Sequence, residues 1–116
     1  MWLKPDDGRP SQAHTVFGLH NNSDSSESYY VLINTDGTLV LIHYAGDGGI
    51  GALALASSGV IFADGAQSDF THIAIVADYS VSDVEYTFYA DGSSVTTTYA
   101  AGLKVTAANA GGYLSF

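Results

Sequence analysis

Asp83-Val84-Glu85 is the closest this chain comes to Glu-x-Asp-x-x-Glu, a strand motif that supplies the paired carboxylates glycoside hydrolysis requires. Alternation along an extended strand puts both side chains on one side. No third acid follows two or three residues away, so the two read as solvated turn and edge residues rather than catalysts. The four histidines, His14, His20, His43 and His72, include no two at the short spacing of a first-shell metal pair, and each reads as structural. Serine is plentiful, but no Gly-x-Ser-x-Gly elbow supports acyl transfer. Gly46-Asp47-Gly48-Gly49 lacks the following helix and Lys-Ser/Thr of a phosphate loop.

Sugar recognition needs an aromatic face for the apolar side of a pyranose, with amides and carboxylates for its hydroxyls. The chain has eight tyrosines, and Asn21-Asn22-Ser23-Asp24 stands close to Tyr29 and Tyr30. Asn22, Asp24, Tyr44 and Asp47 are therefore candidate carbohydrate-binding residues. Tyrosine is equally an ordinary strand residue and an interface anchor. Asn21-Asn22-Ser23 also matches a glycosylation sequon, which matters only in a eukaryotic secretory host.

Charge narrows the partners. Twelve acidic residues face three basic ones, a net charge of −9, and no lysine or arginine occurs between Arg9 and Lys104. Nucleic acid and anionic membranes need several phosphate-neutralising cations, so neither is expected as a partner. Without cysteine there is no disulfide, thiolate nucleophile or Cys-type zinc site. The longest apolar run, Gly49 to Ala56, is far short of the ~20 residues of a membrane-spanning helix, and membrane insertion is not expected.

At 116 residues the chain is read as a single domain. Tyr, Val, Ile, Thr and Phe are abundant and no stretch holds helical periodicity, which makes the domain β-rich. The clearest strand pair is Phe70 to Tyr79 followed by Val84 to Asp91. Thr71, Ile73, Ile75, Ala77 and Tyr79 share one face of the first run. Both of its faces are mostly apolar, which predicts a strand lying between two layers. Tyr29 to Asn34 and Leu39 to Tyr44 flank an Asp36-Gly37 turn and form the clearest hairpin. Trp2-Leu3, Ala13 to Leu19 and Val95 to Tyr99 also read as strands, and Ile50 to Ala56 as a buried strand or, failing that, a short helix. Leu103 to Thr106 and Gly112 to Phe116 are strand-like. Asp-Gly steps at 64–65 and 91–92 supply further turns. The expected fold is an all-β antiparallel sandwich.

Three motifs in order, Trp2-Leu3-Lys4-Pro5, Phe70-Thr71-His72-Ile73-Ala74 and Tyr89-Ala90-Asp91-Gly92, resemble the laminin G-like branch of the concanavalin A-like jelly roll. That family commonly carries W-x-K-P, an aromatic-x-His-hydrophobic-Ala strand and a strand ending in aromatic-x-Asp-Gly; Phe70 stands where tryptophan is usual. The resemblance implies calcium in loop sites of some relatives, and calcium selects oxygen ligands. Asp24 with Glu27 in one loop, and Asp47 or Asp64 in others, are the candidates. Family members normally have strands before the W-x-K-P element and beyond the last strand seen here, so the domain is expected to be truncated at both ends and to complete its edges through neighbours. The functional expectation is a non-catalytic structural or decorating module, extracellular or on a virion surface, in a homo-oligomer or with other subunits of a larger assembly. The alternative is a carbohydrate-binding module, with or without calcium.

Overall fold

The computed structural model describes residues 1–19, 28–45, 52–80 and 83–100. The described residues form nine strands: β1 (Trp2–Leu3), β2 (His14–Leu19), β3 (Ser28–Ile33), β4 (Thr38–Ala45), β5 (Ala52–Val60), β6 (Thr71–Asp78), β7 (Glu85–Ala90), β8 (Ser93–Val95) and β9 (Thr97–Tyr99). They form two packed antiparallel sheets, one of four strands in the order β1-β6-β7-β8 and one of five in the order β2-β3-β4-β5-β9. The protein is an all-β antiparallel sandwich.

Alternation dictates the core. On β3 and β4, Tyr29, Val31, Ile33, Leu39, Leu41 and His43 are all buried. Their register, Tyr29↔His43, Val31↔Leu41 and Ile33↔Leu39, makes each buried residue the cross-strand neighbour of another. The connecting turn holds because the Asp36 carboxylate accepts from the Thr38 amide at 3.1 Å and hydroxyl at 2.7 Å. Gly37, at φ +82°, closes it. Its carbonyl accepts from the amides of Ile61 and Phe62 at 3.0 and 3.1 Å, seating the turn against the fully buried Phe62.

The other sheet contributes Ile73, Tyr86 and Phe88 to this core, with Ile75, Ala77 and Ala90 packed against it. β7 and β8 are joined by Asp91-Gly92, whose φ values of 49° and 79° are those of a two-residue hairpin turn. β6 departs from expectation in one respect. Its Ile73, Ile75 and Ala77 face is interior, but the opposite face is the outside of the sandwich, and Val76 there is 51% exposed. Apolar residues on both faces therefore do not mark a strand between two layers. The segment read as Ile50 to Ala56 is strand from Ala52 and runs on to Val60, with Ile50 and Gly51 outside the described residues. Ser58 explains the extension: its Oγ accepts from the Leu39 amide at 2.9 Å and donates to the Gly59 carbonyl at 2.6 Å, so a buried serine is satisfied within the sheet. The strand-like pieces at 103–106 and 112–116 lie outside the described residues.

The expected strand from Val95 to Tyr99 is divided between the two sheets. β8 pairs with β7 as far as Phe88↔Val95, and β9 then pairs with β5 from Ser58↔Thr97 to Ala56↔Tyr99. Thr96 is the crossing point, held by the Gly59 amide donating to its carbonyl at 2.7 Å.

Candidate functional site

The arrangement with most functional content is a surface. None of β2, β3, β4, β5 and β9 contains an Asp, Glu, Lys or Arg. Because Val31, Ile33, Leu39 and Leu41 point inward, Tyr30, Leu32, Val40 and Ile42 point outward. Register sets Leu32 beside Val40, and Ile42 between Tyr30 and Leu55. An outward sheet face normally alternates to polar residues where water covers it; this one is apolar at its centre. Every acidic residue among those described lies in a loop, a turn or at a strand end.

Tyr44 stands on this face, exposed, with its ring edge-on to Tyr30 at 6.3 Å and 84°. Tyr30 in turn covers Gly18, where an added Cβ would come within 3.2 Å of its ring. Of the other carbohydrate and calcium candidates, Asn22, Asp24, Glu27 and Asp47 lie outside the described residues, and Asp64 is exposed in the loop after Phe62. Among the described residues no three His, Asp or Glu side chains come together as a metal-binding group.

A second arrangement is interior. His43 is fully buried, its ring stacked on Tyr29 at 4.1 Å and 19° and its Nδ1 hydrogen-bonded to the Tyr86 hydroxyl. Among the described residues Nε2 has no hydrogen-bond partner. We assign the ring proton to Nδ1, since an unpartnered lone pair costs less than an unpartnered N–H. Burial pushes the His43 pKa down to about 4, so the ring is neutral at ordinary pH. The Tyr29 hydroxyl lies 3.3 Å from that of Tyr79. The position of His43 after Leu39 and Leu41 in an alternating run is the sequence signal for its burial; nothing in the sequence pointed to Tyr86 as its partner.

Where β8 leaves β7, a cleft of about 460 Å³ opens between Glu85, Thr87 and the Ser94–Thr97 crossing. Tyr99 closes the strand edge inside it. Its hydroxyl accepts from the Tyr86 amide at 2.6 Å and donates to the Tyr86 carbonyl at 3.4 Å. Asp83, Val84 and Glu85 lead into β7 here, with Val84 fully buried, Asp83 half-buried and Glu85 exposed.

At the opposite edge of the four-stranded sheet, Trp2 is 65% exposed and its ring tilts against His72 at 4.9 Å, while Lys4 Nζ sits 5.8 Å from the centre of the exposed Phe70 ring. His72 thus packs against the edge strand, a structural role. Among the described residues no helix is long and apolar enough to cross a membrane. No family model, curated protein or solved structure matches this chain.

Proposed function

We propose that this protein is a non-catalytic structural or decorating module of a larger extracellular or viral assembly, and that it joins further copies of itself through the outer face of its five-stranded sheet. One observation carries the reading: the absence of any charged residue from that sheet, with Leu32, Val40, Ile42 and Leu55 at the centre of its outer face. Contiguous apolar surface of this kind marks interaction sites. The choice of partner follows from charge. A molecule of net charge −9 repels its copies wherever acids face each other, and this face is where two copies meet without that penalty. The laminin G-like resemblance belongs to the same proposal, supported by the two-sheet antiparallel architecture in which Trp2-Leu3 is an edge strand.

The test is native mass by light scattering, with and without calcium. A ligand-independent oligomer that Ile42→Lys dissociates supports the reading; a stable monomer that responds to calcium overturns it. Carbohydrate binding remains a second reading, with the exposed Tyr44 ring against Tyr30 as its support, and a glycan array tests it.

A further inference from the structure

Five Asp-Gly steps punctuate the chain, and at each the glycine amide can attack the neighbouring carboxyl, because glycine has no Cβ to obstruct it. Asp47-Gly48 lies outside the described residues; the fold separates the other four. At Asp7-Gly8 the Asp7 carboxylate accepts from the Arg9 amide at 3.0 Å, and the Gly8 amide donates to the Gly65 carbonyl at 2.9 Å. At Asp36-Gly37 the carboxylate accepts from the Thr38 amide and hydroxyl, and the Gly37 amide donates to the Asn34 carbonyl at 3.0 Å. The Asp91 carboxylate accepts from the His72 amide at 2.8 Å, which draws it towards β6. Asp64 and Gly65, by contrast, are both exposed, and among the described residues no hydrogen bond holds the Asp64 carboxylate, the Asp64 carbonyl or the Gly65 amide. The groups on either side of this peptide are fixed. Gln67 Nε2 donates to the carbonyls of Ala63 and Gly65 at 2.9 Å each, and the Gly65 carbonyl also receives the Gly8 amide.

We propose that Asp64-Gly65 is a modification site at which the folded protein spontaneously converts aspartate to isoaspartate. The Gly65 amide nitrogen attacks the Asp64 carboxyl carbon. An N–C bond forms, the nitrogen gives up its proton, and one carboxyl oxygen leaves as water, closing a five-membered succinimide. Water then adds back at one of the two ring carbonyls. Breaking the new bond restores aspartate; breaking the original peptide bond routes the main chain through the side-chain carbon and leaves the former backbone carbonyl as a carboxylate. Water is the only co-reactant. The carboxylates at 7, 36 and 91 are held away from the near-attack arrangement that ring closure requires. The product has a structural consequence, because isoaspartate inserts a methylene into the main chain between the two carbonyls that Gln67 spans. The bracket no longer fits, and the Gly8 amide loses its acceptor. Gly8 is buried and cannot shift to follow, since even an added Cβ there would run into the Ala63 carbonyl oxygen. Ageing at one exposed step thereby loosens the loop that leads out of β1. This site is separate from the uncharged face of the five-stranded sheet.

Ageing the folded protein at neutral pH, where His43 is uncharged, tests it. Peptide mapping that separates aspartyl from isoaspartyl linkages is expected to show isoaspartate at 64 accumulating at least about tenfold faster than at 7, 36 or 91. In denaturant the same four steps are expected to converge, since only the fold distinguishes them. Asp64→Glu keeps the charge but needs a six-membered ring, and is expected to age without a rearranged linkage at this position. Hydrogen exchange reads the consequence: the Gly8 amide of the isomerised fraction is expected to exchange at least about tenfold faster than in fresh protein, with Leu41 unchanged. Aged Asp64→Glu is expected to keep the Gly8 protection it has when fresh. Isoaspartate at 7, 36 or 91 keeping pace with 64 in the folded protein, or none at 64, overturns the proposal. Gly8 exchange unchanged in the isomerised fraction overturns the loosening.

Discussion

His43 and Tyr86 hydrogen-bond across the centre of the sandwich, joining β4 of the five-stranded sheet to β7 of the four-stranded one. The bond uses one ring nitrogen, and the other, in a fully buried site, has no partner among the described residues. Protonation there creates an N–H with nothing to receive it and a charge with nothing to balance it.

Stability therefore falls with acid in a defined window. The pKa of His43 is about 4 in the folded state against an ordinary 6.5. The unfolded chain takes up the proton first, so the contribution is complete above pH 6.5 and is lost as pH falls to about 4. It amounts to about 3 kcal/mol, at about 1.4 kcal/mol per pH unit. Thermal melts across this range are expected to show a steep decline for wild type and a nearly flat line for His43→Phe.

A separate acid step lies lower. Hydrogen bonds from the Thr38 hydroxyl and amide hold the Asp36 carboxyl below its ordinary value of 3.8. Its contribution is present above pH 3.8 and disappears as pH drops through the lowered value, after His43 has already titrated. Asp36→Ala is expected to cost about 1 kcal/mol at neutral pH, through loss of the turn's side-chain acceptor, and to remove this lower step from the acid-denaturation profile.

Two glycines at positive φ separate backbone strain from steric exclusion. An added Cβ at Gly37 would lie 2.1 Å from the Phe62 carbonyl oxygen, whereas at Gly92 nothing stands within 4 Å. Gly92→Ala is expected to cost about 1 kcal/mol from the left-handed backbone alone. Gly37→Ala adds displacement of the core-sealing Phe62 segment, and denaturant titration is expected to show a loss of about 3 kcal/mol or more.

Tyr99→Phe keeps the ring and removes the hydroxyl that serves both the amide and the carbonyl of Tyr86. The expected loss is about 1–2 kcal/mol. Hydrogen exchange is expected to place it locally, as faster exchange of the Tyr86 amide with little change at Ile73.

These relationships differ in how far the sequence announced them. The β3–β4 hairpin was legible because Tyr29, Val31, Ile33, Leu39 and Leu41 alternate about an Asp-Gly turn, and local alternation is what a hairpin obeys. β5 was cut short because Ser57, Ser58 and Gly59 have weak strand preference; the hydrogen bond from the Leu39 amide that rewards Ser58 comes from another strand. Apolar residues on both faces of β6 were read as burial, when one face is exterior. The division of Val95 to Tyr99 between sheets had no local signal, since Val95 and Thr97 find their partners on β7 and β5. Of the site residues, Tyr44 was named from sequence as a candidate sugar-binding aromatic, and the structure places it exposed on the outer face of β4. The uncharged sheet was written in the sequence but visible only once its five strands were known to be neighbours.

Thr96 has a mechanical consequence. Because one continuous stretch of backbone, Ser93 to Tyr99, is stitched first to one sheet and then to the other, neither sheet can peel away without dragging the border strand of its partner. The two layers are thereby coupled into one cooperative unit, and force applied to either is shared by both across a single residue.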